Sequence, residues 1–228
     1  METNKDKLIL IDKPVGITSF DIIRQLRKKL NIKKMGHAGT LDPRASGLML
    51  IGIEDGTKKL KDLIGLPKVY KAEILLGVKT NTGDFDSNYP EGEGEGENGK
   101  IIEEKEIKNI SEEKVKEVLK SLMGDTVLEV SLFSAMKRKG KSLYKYAQKG
   151  QEVTKPKRVM TVFRADFEGL GVGYLNKTVV KVEFEVGSGT YIRSLAEELG
   201  ERLGTVATLQ NLRRISIGDF KVEDAKVL

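Results

Sequence analysis

The sequence predicts a single mixed α/β domain, residues 1–228, and three patterns carry that expectation. Val180, Val182, Phe184 and Val186 alternate with Lys181, Glu183 and Glu185, the two-residue period of a strand with one wet face. Ile22, Ile23, Leu26 and Leu30, and again Val115, Val118, Leu119 and Leu122, recur at helical spacing. Apolar runs of strand length, Leu8 to Ile11 and Leu48 to Ile53, are bounded by turn residues. Strands and helices therefore mix along a chain with no internal repeat and no linker, and 228 residues suffice for an ordinary core.

Taken in order, Leu8 to Ile11 is a buried strand closed by the Pro14 and Gly16 turn, and Thr18 or Ser19 caps the helix that follows. Leu48 to Ile53 is a strand, Thr57 opens a short amphipathic helix through Leu60 and Ile64, and Val69 to Leu76 is a strand. Ser111 caps a helix with Glu112 and Glu113 in its first turn and Gly124 as its stop. Strands follow at Thr126 to Phe133 and Arg158 to Phe167, with a capped helix read between them at Ser142 to Lys149. After the alternating strand, Gly187 to Gly189 turns into a helix apolar at Ile192, Leu195, Ala196, Leu199 and Leu203. The chain closes with a short element around Leu209 and a terminal strand.

Composition narrows the chemistry. There is no cysteine and one histidine, which excludes disulfides, thiolate nucleophiles and His-rich metal sites and leaves carboxylates, hydroxyls and amines. Met1 to Lys7 is polar, and the apolar stretch after it is far too short for a signal peptide or a membrane span, so a soluble, cytoplasmic protein is expected. The net charge is +6, but residues 84–106 hold nine acids and two bases; that segment is −7 and the remainder +13. So basic a body suits a polyanionic partner such as nucleic acid, or a protein kept dispersed by its lysines. Within the acidic stretch, about 84–100, Gly94, Gly96 and Gly99 spell a dinucleotide fingerprint, but without a preceding strand and among glutamates that repel phosphate. The segment reads as a solvated loop insertion.

The densest chemistry lies in Gly36 to Gly47, which holds three glycines, the only histidine, His37, and one carboxylate, Asp42. Glycine lets a backbone approach a ligand closely, and Pro43 steers Asp42 toward extended chain. By itself such a string also describes a surface turn with a solvated carboxylate. A second candidate surface is Ser134 to Ala147, where Lys137, Arg138, Lys139 and Lys141 interleave with Tyr144 and Tyr146, pairing charges for phosphate with rings for stacking.

Six blocks together resemble the bacterial TruB family of tRNA pseudouridine-55 synthases: Lys13-Pro14-Val15-Gly16 with Thr18-Ser19; Gly36 to Leu48; Tyr70-Lys71-Ala72 with Thr82-Gly83-Asp84; Phe133 to Lys137 with Gly140; Gly189 to Leu195; and Leu212-Arg213-Arg214 with Gly218 and Phe220. They stand in the family's order from about residue 8 to 220. The resemblance implies the pseudouridine synthase fold, a central mixed, largely antiparallel sheet flanked by helices with an active-site cleft across it. It also implies isomerisation of a T-loop uridine in tRNA, with no cofactor, no metal, no required protein partner and a monomeric enzyme.

Carried over to this chain, Asp42 is the implied nucleophile, attacking either ribose C1′ or uracil C6, and Arg193 its ionic partner. Tyr70 is implied to stack on the base, supported by Lys13 and Pro14, while His37, Tyr191 and Leu212 line the pocket. Lys33, Lys34, Lys137, Arg138, Arg213 and Arg214 are the expected phosphate contacts. Three departures stand out. The chain ends eight residues after Phe220, leaving no room for the C-terminal PUA-like domain of many relatives; Ser131-Leu132 replaces prolines, which is expected to loosen that strand's entry; and the acidic insertion is extra. Two rivals remain, a non-catalytic tRNA-binding factor and a related synthase guided by a separate RNA and protein partners.

Overall fold

Thr18 starts the first helix with a reciprocal cap: its hydroxyl accepts from the Asp21 backbone N–H, and the Asp21 carboxylate accepts from the Thr18 N–H. The helix, α1 (Ser19–Leu30), ends at Asn31 in the left-handed region and buries Ile22, Ile23 and Leu26. These coordinates are a computed structural model, which describes residues 7–85, 99–107, 110–134, 136–138, 140–143, 146 and 153–227. The acidic Gly/Glu run at 86–98, most of the helix read at Ser142 to Lys149, and the side chains of Lys137 and Arg138 lie outside what is described.

The chain divides into two compact units, one formed by Met1–Lys71 with Leu212–Leu228 and the other by Ala72–Asn211. In the first, β1 (Leu8–Lys13) runs antiparallel to β3 (Ser46–Ile53), with Leu8 opposite Gly52 and Lys13 opposite Gly47. The other edge of β3 takes a short antiparallel strand, β2 (Met35–His37), and, in parallel, the end of β12 (Ala207–Ile217) through Arg213 opposite Ser46 and Arg214 opposite Gly47. His37 thus belongs to a strand, and the glycine loop begins only after it. The short helix expected near Thr57 is a 3-10 turn, Glu54–Lys58, followed by α2 (Leu60–Gly65). Ala38, Leu48, Leu50, Leu60, Ile217 and Val222 pack into one cluster. Each leucine so buried contributes about 1.5–3 kcal/mol, enough to fix β3 as the base of the loop.

In the second unit, hydrogen-bonded neighbours run from β4 (Lys68–Leu76) to β11 (Thr178–Val186), β10 (Lys157–Val172) and β7 (Gly124–Glu129), with β10 antiparallel to both its neighbours. Here β4 also takes the first part of β12 beside it, so β4 and β12 each supply residues to both units. Phe184, Val182 and Val180 are buried as their alternation predicts. Two helices complete the unit: α3 (Glu112–Ser121), capped by Ser111 as expected, and α4 (Ile192–Arg202). A two-stranded ribbon of β5 (Val78–Thr80) and β6 (Ile101–Glu104) and the small hairpin β8 (Lys137–Arg138) with β9 (Lys141–Ser142) are elements the sequence patterns did not reveal.

The expected short element near Leu209 does not exist as such. β12 continues unbroken for eleven residues and turns at Gly218, φ +52, into β13 (Phe220–Lys221). The architecture is mixed α+β around a largely antiparallel sheet. No helix among the described residues is long and apolar enough to cross a membrane.

Candidate active site

Asp42 is half-buried on non-repetitive chain, and the peptides on both sides of it are held. Before it, the buried Ser19 hydroxyl donates to the Leu41 carbonyl at 2.9 Å and accepts from the Leu41 N–H at 2.8 Å. After it, the Pro43 carbonyl accepts from the Gly16 N–H at 2.9 Å and from Lys13 Nζ at 3.2 Å. Gly16 has φ +94, a conformation that favours glycine. The Ala45 N–H closes a turn on the Asp42 carbonyl at 3.0 Å. Five hydrogen bonds to the backbone thus present one carboxylate from a loop, the arrangement a catalytic or binding acid requires.

Lys13 has no solvent exposure, and its Nζ donates to the carbonyls of Pro14 and Ile17, both at 2.8 Å, as well as Pro43. Burial is the main cause that lowers its pKa to about 8, with Arg214 acting in the same direction and Asp42 opposing. Its place is under the loop, as a tie between β1 and Pro43, while Pro14 is exposed. Tyr70 is buried on β4, and Lys68, two residues earlier, is also buried, donating to the Ile64 and Leu66 carbonyls at 2.8 and 2.6 Å. His37 is half-buried, and burial, reinforced by Arg214, pushes its pKa below the usual histidine range, which favours the neutral ring.

The two adjacent arginines of β12 separate by strand alternation. Arg213 forms a fork on Asp12, at 3.0 and 2.7 Å, and reaches Ser46 Oγ at 3.4 Å. Arg214 is 1% exposed; its Nε donates to the Leu48 carbonyl at 2.7 Å, one terminal nitrogen to the Gly39 carbonyl at 3.1 Å, and the other to the Tyr70 hydroxyl at 3.5 Å. A guanidinium enclosed in this way cannot meet a phosphate, so the expected RNA-backbone contact from Arg214 is corrected to an internal one. Lys33 and Lys34 are exposed, as a phosphate contact needs, and Leu212 is half-buried.

In the second unit, Arg193 lies in the first turn of α4, 4% exposed, donating to the Thr82 and Phe133 carbonyls at 2.8 Å each. Those carbonyls belong to two of the sequence blocks, so Arg193 ties the Thr82-Gly83-Asp84 turn to the Phe133 segment. Gly83, φ +78, lets the turn lie against α4; a Cβ there would be 3.0 Å from the Glu197 carboxylate and 3.5 Å from Arg193 Cβ. Burial, the largest cause, raises the pKa of Glu197, against the pull of Lys155, Lys79 and Arg193. The Ser131 hydroxyl donates to the Thr82 carbonyl at 3.1 Å and accepts from the Phe133 N–H at 3.2 Å. Ser131 therefore fastens the entry that the absent prolines were expected to leave loose. Tyr191, half-buried, occupies the N-cap position of α4.

Sequence reading missed Ser19 as a loop anchor and Arg214 as a buried tie. For Arg214 no local signal was available: strand alternation makes two adjacent residues face opposite ways but does not say which of them turns inward. Among the described residues, no group of three or more His, Cys, Asp or Glu side chains is placed to hold a metal ion.

Residues 27–192 match the description "TruB family pseudouridylate synthase (N terminal domain)". The chain belongs to the TruB family. It is 40% identical over 222 residues to the tRNA pseudouridine synthase B of Endomicrobium trichonymphae, covering 97% of this chain and 89% of that one. It is 39% identical to the protein of that name from Fusobacterium nucleatum subsp. nucleatum over 95% of this chain and 69% of the other. Among solved structures, a Cbf5-Nop10-Gar1 complex contains a chain similar at TM-score 0.68 and 27% identity, over 97% of this chain and 52% of that one. An H/ACA RNP bound to a substrate RNA containing 2'-deoxyuridine contains another, at TM-score 0.65 and 25% identity. This chain spans about half the length of both.

Proposed function

We propose that this chain isomerises uridine 55 in the T loop of tRNA to pseudouridine, with Asp42 as the nucleophile. The N1–C1′ bond breaks, C5 bonds to C1′, the C5 proton leaves and N1 gains one, so no atom is gained or lost and no cofactor is required. The observation that carries this reading is the anchoring of Asp42, whose neighbours on both sides are fixed by Ser19, Gly16 and Lys13. A nucleophile must be held against its target atom, and such positioning supplies much of the rate. Arg193 is the proposed ionic partner of Asp42, keeping the carboxylate charged and aimed, and Tyr70 the proposed platform for the base and participant in proton transfer at C5. His37, Tyr191, Leu212 and Pro14 are proposed to bound the pocket that receives the flipped nucleotide.

Extruding the uridine costs a few kcal/mol, which stacking and phosphate contacts offset. Lys33, Lys34, Lys137 and Arg138 are the proposed phosphate contacts, with Arg213 available in part because Asp12 holds it. The T arm alone is the proposed partner, and the enzyme works in the cytoplasm as a monomer without protein partners.

A guided synthase is the rival that the solved relatives favour, since both are parts of multicomponent assemblies by their descriptions. One experiment separates the readings: an unmodified tRNA transcript incubated with this protein alone, assayed by mass spectrometry for pseudouridine. Conversion by the wild type, none by Asp42→Asn, and unchanged tRNA binding by that variant are expected. Full conversion by Asp42→Asn refutes the assignment, and no conversion by the wild type supports the guided or non-catalytic rival.

A further inference from the structure

Arg214 is among the largest fully buried side chains of the described residues, yet the acceptors it meets among them are two carbonyls and a hydroxyl, with no carboxylate. A buried ion whose acceptors are neutral is costly, and an apolar residue of similar volume would serve stability better. Its neighbours compound the cost: Lys13, Lys68 and His37 each feel its positive charge as a like or competing one. Its backbone lies directly against Gly47, and a Cβ built on Gly39 would be 3.5 Å from its guanidinium. The two carbonyls it binds, Gly39 and Leu48, flank the Asp42 loop in sequence, and its third acceptor is the hydroxyl of Tyr70. A rigid planar fork with donors pointing three ways suits this task, and an ammonium does not.

We propose that Arg214 is a positioning residue that fixes the Asp42 loop and the Tyr70 ring in one frame, setting the rate of the chemical step rather than the grip on RNA. Arg214 touches neither the reacting atoms nor the phosphates; it acts through the two groups it holds. This inference rests on the synthase function proposed above.

Arg214→Gln and Arg214→Lys are compared with the wild type on the unmodified tRNA transcript, measuring single-turnover rate, tRNA affinity by filter binding, and thermal melting. The Lys variant keeps the charge and one or two of the bonds, so it gives a folded sample if Arg214→Gln does not. The rate is expected to fall about 100-fold in both variants, the loss typical of a displaced reacting group, with affinity within about twofold of wild type. A rate unchanged in a folded variant overturns the inference, as does an affinity that falls in parallel with the rate. A wild type that converts the transcript beside variants of equal rate overturns this inference alone. A wild type that leaves it unmodified overturns the synthase reading and this inference with it.

Discussion

Replacing Gly47 by alanine tests how tightly the loop is bound to its base. Gly47 ends the loop, pairs with Arg214 across the parallel β3 and β12 contact, and has φ +105. A Cβ there would lie 2.2 Å from the Arg214 carbonyl oxygen, 2.7 Å from its nitrogen and 2.9 Å from its carbonyl carbon. All three are backbone atoms, so no rotamer change relieves the overlap, and the strands must part. The left-handed conformation costs about 1–2 kcal/mol for a residue with a Cβ. Overpacking adds about 1–3 kcal/mol. Gly16→Ala isolates the first contribution, because Gly16 has φ +94 and nothing within 4 Å of the added atom. The difference between the variants is therefore the overlap itself, about 2 kcal/mol, or about 4–8 °C in melting temperature for a chain of this size. Calorimetry with parallel urea titrations measures it, and equal destabilisation of the two variants refutes the close-approach argument. The folded fraction of Gly47→Ala is also expected to turn over more slowly, since the displaced backbone carries Arg214.

Two further outcomes follow from the groups around Asp42. Ser19→Ala strips both partners from the Leu41 peptide; a loss of about 1–3 kcal/mol in urea unfolding is expected from the buried groups left unmet, together with a slower turnover at unchanged tRNA affinity. Wild-type stability in that titration would remove Ser19 as an anchor. Lys13 has a pKa of about 8 in the folded chain against an ordinary value of 10.5, so the unfolded state binds its proton more tightly between those limits. Stability contributed through Lys13 should consequently rise as pH climbs from about 8 to 10.5, and the wild-type minus Lys13→Met difference should grow by about 3 kcal/mol over that window. A difference independent of pH would show that Lys13 is not desolvated.

Much of the site is legible in the chain itself. Pro14 and Gly16, the cap at Thr18, the glycines around Asp42 and the apolar run of β3 are local signals, and local chemistry decides turns, caps and periodicity. The six ordered blocks carried the family reading for the same reason, because each is a contiguous string. The strand β12 was misread as two pieces because its polar centre, Gln210-Asn211 with Arg213-Arg214, looks like a connection to any local criterion. Its pairing with β3 and β4 overrides that pattern.

What only the tertiary structure decided is the fate of the buried polar groups. Arg213 and Arg214 are indistinguishable in sequence, yet one pairs with Asp12 at the surface and the other is enclosed beneath the loop. Ser19 was legible as a helix cap, and its bond to Leu41, 22 positions away, was not. The Arg214 contact to Gly39 spans 175 positions. Local sequence sets which conformations are cheap, but a donor's partner is chosen by the register of strands distant along the chain, and that register exists only once the sheet has formed.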